Sequence, residues 1–183
     1  TYYVAMRDTT PYATFMSLNG LMTVLSNASI GVSSDLFPNN LLNKPFFMVN
    51  GARDPLYPTR IVDPLVEHFK KGGVTLDYLP QANGEHNTRW WPEVKDAFEG
   101  FVRAHPRNPL PDRLTWMNTA AERSNRAHWL VIDSVTRSPS TDSLPDLNRV
   151  VRPGFDGGDM RVGDYFRHDR RYGRVDLVRT GNL

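Results

Sequence analysis

The segment Pro45-Phe46-Phe47-Met48-Val49-Asn50-Gly51 most narrows the folds open to this chain. Phe46 through Val49 are all apolar, so a strand built from them has no solvent face. Such a strand belongs inside a parallel sheet with helices on both sides. The neighbouring signals agree. Phe15-Met16-Ser17-Leu18 is a shorter apolar run ending in Asn19-Gly20, and Val74-Thr75-Leu76-Asp77-Tyr78-Leu79 is a third, bounded by Gly72-Gly73 and Pro80. Between the last two strands, Ile61, Val62, Leu65, Val66 and Phe69 recur at helical spacing, with Gly72-Gly73 as a stop. After the third strand Pro92 suits a first helical turn, and Val94, Ala97, Phe98, Phe101 and Val102 form one apolar stripe. Tyr2 to Arg7 reads as the tail of another helix. Strand–helix–strand–helix with apolar strands predicts an α/β fold.

The pattern changes at Pro106-Arg107-Asn108-Pro109-Leu110-Pro111, which divides the chain into residues 1–110 and 111–183. The second region is predicted to be β-rich and partly irregular. Leu114–Met117, His128–Ile132 and Arg174–Arg179 carry strand signals, while residues 135–172 are poor in apolar periodicity. Thr180-Gly181-Asn182 reads as a hairpin turn lacking its second strand, so the C-terminus is expected to be cut. Hydrophobic residues make up 39% of the chain, enough for a core. With 22 Lys and Arg against 20 Asp and Glu, the net charge of +2 supplies no field for nucleic acid or membrane binding. No apolar run reaches membrane-spanning length. Without cysteine there is no disulfide, thiolate ligand or cysteine nucleophile, and the compartment stays open.

In open α/β sheets the chemistry sits beyond the carboxyl ends of the strands. Asp54 follows the Phe46–Gly51 strand, and His86 follows the next one in Gly84-Glu85-His86-Asn87. Adjacent parallel strands would deliver both to one rim, where a carboxylate can orient an imidazole that takes a proton from a hydroxyl. Taken singly, an Asp-Pro turn and a Gly-x-His loop are ordinary surface features; their matched positions make the catalytic reading specific. Asp63 and Asp77 fall inside elements, and Glu85 adjoins the histidine too closely to face it. His68 and His105 are expected on helix surfaces, His128 in a strand, and His168 in solvent within Arg167–Arg171. Tyr57, Trp90 and Trp91 are candidate walls of a substrate pocket, with loop packing as the competing role for the tryptophans. Asp156-Gly-Gly-Asp159 lacks a calcium-loop spacing, so no metal or cofactor is expected.

The segments Asn50-Gly-Ala-Arg-Asp54-Pro-Leu-Tyr57-Pro, Gly84-Glu-His86-Asn-Thr-Arg-Trp90-Trp91-Pro and Phe101-Val-Arg-Ala-His-Pro-Arg107 resemble the α/β-hydrolase superfamily. The likeness is to its dienelactone-hydrolase and prolyl-oligopeptidase-like esterases. Leu114-Thr-Trp116 with Asn125–Leu130 resembles the short β extension of some members, and the likeness runs over about residues 1–132. Glu85 departs from the glycine that directly precedes the histidine in many relatives.

The resemblance implies the C-terminal part of a hydrolase sheet: three strands with flanking helices, followed by the small extension. Asp54 and His86 would be the acid and histidine of a triad acting on a small-molecule ester or acyl substrate. The Gly-x-Ser-x-Gly elbow that presents the nucleophile occurs nowhere in the chain. It is expected upstream of Thr1, and Ser17, Ser26 and Ser29 lack the glycine-flanked turn to replace it. The first strand would then expose an unpaired edge, so the 183 residues alone are expected to be poorly stable unless paired with the missing N-terminal half. The alternative is a non-catalytic interaction fragment whose extension binds carbohydrate or peptide.

Overall fold

The computed structural model describes residues 1–135, 146–153, 160–168 and 172–181. Phe15–Leu18 (β1), Phe46–Gly51 (β2) and Leu76–Gln81 (β3) form a parallel sheet in the order β1-β2-β3. All six residues of β2 are buried, as its unbroken apolar run requires. Its alternating side chains separate two packed layers. Phe46 and Met48 join Phe15 and Leu76 beneath the helices Tyr2–Arg7 (α1) and Thr59–Lys71 (α2). Phe47 and Val49 meet Trp90 together with Val94 and Phe101 of the helix Trp91–Ala104 (α3) on the opposite face.

Each helix carries the stripe its sequence spacing gives it. In α2 the buried residues are Val62, Leu65, Val66 and Phe69, and the Gly72 N–H closes the last turn on the His68 carbonyl. In α3, Pro92 stands in the first turn, where its missing N–H has no partner to lose. Short 3₁₀ turns fill residues 22–43 between β1 and β2.

The remainder is antiparallel. Arg126–Ala127 (β5) pairs with Leu130–Val131 (β6), and Arg149–Pro153 (β7) pairs with Met160–Asp164 (β8). Arg113–Asn118 (β4) pairs with Gly173–Val178 (β9). The molecule is therefore mixed α/β, with a helix-covered parallel sheet followed by small antiparallel pairs. Leu147, Tyr165 and Phe166 enter the same core as α2, so the second region packs on the sheet rather than apart from it.

Two expectations are corrected. His128 lies not in a strand but in the two-residue turn between β5 and β6, at φ 54, because Ala127 and Leu130 already pair across it. His168 is not solvated: its ring stacks on Phe37 at 4.3 Å, and Nε2 lies 2.7 Å from the Leu36 carbonyl. A charge run carries no trace of such a distant aromatic partner. The strand at 173–178 pairs with β4, earlier in the chain. Asp156–Asp159 and Asn182 lie outside the described residues. Among the described residues, no helix is long and apolar enough to cross a membrane, and no cluster of three or more metal-ligating side chains forms.

Candidate active site

The carboxyl ends of β2 and β3 are held together by backbone contacts before any functional side chain is considered. Ala52 donates to the Gln81 carbonyl at 2.8 Å, and Arg53 to the Gly84 carbonyl at 2.9 Å. Gly51 is essential to this approach, since a Cβ there would overlap the Gly84 backbone. Gly51→Ala should therefore displace the histidine loop and destabilise the protein by about 1–3 kcal/mol. Chemical denaturation and the imidazole Nδ1 proton resonance read the two effects. An unchanged midpoint with that resonance retained would contradict the packing argument.

Asp54 closes an Asx turn over the acid loop. Its Oδ1 accepts from the N–H groups of Leu56 and Tyr57 at 2.7 and 2.9 Å, which fixes the carboxyl plane. Oδ2 then points at His86 Nδ1, 2.8 Å away. The Asp54 side chain is fully buried, whereas the imidazole keeps 42% of its surface exposed. Burial pushes the carboxyl pKa up. The hydrogen bonds from Tyr57, Leu56 and His86 outweigh it, and the net shift is downward. Asp54 is thus a carboxylate, able only to accept, so in the neutral imidazole Nδ1 carries the proton and Nε2 the lone pair. Among the described residues Nε2 has no hydrogen-bond partner.

The histidine loop is anchored from the far strand. Asn19, just past β1 at φ 48, donates its Nδ2 to the Asn87 carbonyl at 2.7 Å. Asn50, fully buried at the end of β2, donates to the carbonyls of Gly20 and Tyr57, both at 3.3 Å. These two positioning residues were missed in the sequence, although a signal existed. All three rim loops carry Asn-Gly, at 19–20, 50–51 and 83–84.

Tyr57 lies beside His86, with their ring centroids 5.8 Å apart. Trp90 is 5% exposed in the layer between β2 and α3, and Trp91 packs on Phe98 at 5.5 Å in the same layer. A cleft of about 510 Å³ beside the loop is lined by Gln81, Asn83, Glu85, Asn87, Arg89 and Trp90. The competing acids are occupied elsewhere. Asp63 accepts from Tyr78 Oη at 3.0 Å, Asp77 is exposed on β3, and Glu85 faces Asn87. Ser26 donates to the Thr23 carbonyl and Ser29 to Asn27, while Ser17 is buried in β1. None of the three serves His86.

The arrangement is an imidazole oriented by a buried carboxylate, with its second nitrogen turned away from that carboxylate. Comparisons of the chain with family models, with curated proteins and with solved structures find no match to any of them.

Proposed function

We infer that Asp54 and His86 are the acid and base of a serine hydrolase of the α/β-hydrolase type, with the serine supplied by residues outside these 183. The observation that carries this reading is the buried Asp54 carboxylate. One oxygen is locked by two backbone N–H groups and the other lies 2.8 Å from His86 Nδ1. Both residues follow adjacent parallel strands, as acyl-transfer chemistry on such a sheet requires.

In this reading Nε2 takes the proton of the serine hydroxyl as its oxygen attacks the ester carbonyl. The buried carboxylate stabilises the imidazolium that forms. The imidazolium returns the proton to the departing alcohol, leaving an acyl-enzyme. Water, deprotonated by the same Nε2, then releases the acid and regenerates the serine. The half-exposed imidazole and the adjacent Tyr57 ring fit a small-molecule ester or acyl substrate, with Tyr57 as a pocket wall and Trp90 and Trp91 supporting the loop.

In this reading further strands would pair on the outer edge of β1, where, among the described residues, the Met16 carbonyl accepts the Thr1 hydroxyl at 2.8 Å.

A serine-reactive fluorophosphonate tests the reading. A longer chain carrying the upstream segment should be labelled, and His86→Ala should abolish labelling. The 183 residues alone should stay unlabelled. Absence of label on the longer chain, or undiminished label in the variant, would overturn the assignment.

A further inference from the structure

The opposite end of the sheet holds a second cluster, built at the strand starts. Lys44 immediately precedes Pro45 and β2, Thr10 lies in the loop before β1, and Arg107 follows α3. His128 joins them from the β5–β6 turn. Thr10 is the hub: its hydroxyl accepts the His128 N–H at 2.9 Å, and its carbonyl accepts Arg107 Nη1 at 3.3 Å. Lys44 is 5% exposed and His128 6%, while the Arg107 side chain is exposed.

The charge of this cluster is unbalanced. Among the described residues no carboxylate pairs with Lys44, Arg107 or His128. Both ring nitrogens of His128 are buried without a well-aligned hydrogen bond, although the Pro109 carbonyl lies close to the ring. Removing an ammonium from water without a counter-ion is unfavourable, and buried polar nitrogens ordinarily find partners. The strain is visible in the protonation equilibria. Burial, helped by Arg107, pushes Lys44 down to about 8. Burial, then Lys44, lowers His128, with Arg107 adding to the effect and the Pro109 carbonyl opposing it.

We propose that this junction binds a phosphate-class oxyanion through Lys44 Nζ, the Arg107 guanidinium and the His128 imidazole. The donors come from three separate segments, and a tetrahedral dianion offers acceptors in as many directions. A carboxylate places its acceptor lone pairs in one plane. The position excludes the proposed reaction centre, since Lys44 and Asp54 flank opposite ends of β2. Bound there, the anion would tie the β5–β6 hairpin to the start of the sheet.

Calorimetric titration of the 183-residue chain with inorganic phosphate at pH 7 and low salt tests this. Saturable binding is expected, weakened at least about ten-fold by Lys44→Met and by Arg107→Ala, since each removes a charge-assisted contact. Acetate should bind at least about ten-fold more weakly than phosphate, since it carries less charge and only coplanar acceptors. His86→Ala should bind phosphate as the parent chain does, so the result stands apart from the hydrolase reading. No saturable binding, equal affinity for acetate, or unchanged affinity in Arg107→Ala would overturn the proposal. Arg107 is solvent-facing, so its variant decides the matter even if Lys44→Met fails to fold.

Discussion

Asp54→Asn, made in a chain that also carries the nucleophile, should lower kcat about 10⁴-fold while leaving KM nearly unchanged. The loss follows from hydrogen-bond polarity. The N–H groups of Leu56 and Tyr57 require an acceptor, so the new amide oxygen must take the place of Oδ1. Its NH₂ group is then forced into the place of Oδ2, facing His86 Nδ1. A donor there requires Nδ1 to accept, which moves the ring proton to Nε2. The imidazole keeps its position and loses its basic face. Nitrogen-15 NMR of the 183-residue chain should show the protonated nitrogen switching from Nδ1 to Nε2, a change that a merely structural role would not produce.

Acid stability supplies an independent readout of the same substitution. Folding lowers the Asp54 pKa, so its stabilisation is complete above the unfolded value of about 3.9. It is lost as pH falls through the lower folded value. Asp54→Asn should remove that contribution to the acid limb. Turnover within ten-fold of the parent, or an unchanged tautomer, would exclude Asp54 as the orienting acid.

What could be read from the sequence was whatever follows from local pattern. The apolar run at 46–49 forces a doubly covered strand, and that strand fixes which loops share a rim. Asp54 and His86 were legible as a pair for that reason, without knowledge of any contact between them. The misreadings share one cause. His128 and His168 take their environments from segments far away in sequence: Thr10 for the first, and Leu36 with Phe37 for the second. Neither composition nor periodicity encodes such partners. The pairing of β9 with β4 was hidden in the same way, because an alternating strand advertises its faces and not its neighbour. Asn19 and Asn50 are intermediate cases. Their Asn-Gly pairs mark turns, and only the parallel register turns those side chains into bridges between loops.

The clamp holding β4 against the first region is equally invisible in sequence, and it predicts the largest stability effect. Asn40 and Asn43 lie in the 3₁₀ turn at 38–43 and bond the edge of β4 that β9 leaves open. Asn43 exchanges bonds with Thr115, at 2.6 and 3.0 Å. Asn40, fully buried, accepts the Met117 N–H at 2.8 Å and donates to the carbonyls of Met117 and Met6 at 3.0 and 2.8 Å. Two amide side chains thus stand in for a neighbouring strand. Asn40→Asp keeps the shape and the acceptor but turns the donor into an oxygen facing two carbonyl oxygens. Two lost hydrogen bonds and a buried charge should cost about 3–5 kcal/mol at pH 7, a large share of a typical folding free energy. The introduced carboxyl can relieve this only by taking a proton, which it can then donate to one carbonyl. Its folded pKa is therefore raised above the unfolded value of about 3.9, and the relief is greatest below that pH. As pH rises through the folded pKa the relief disappears. Urea midpoints of Asn40→Asp should accordingly approach those of the parent chain towards pH 4 and diverge towards pH 7. Asn40→Leu, which strands the same three backbone groups without a titratable atom, should be destabilised with no added pH dependence. An Asn40→Asp variant as stable as the parent at pH 7 would mean that the clamp does not hold β4 in place.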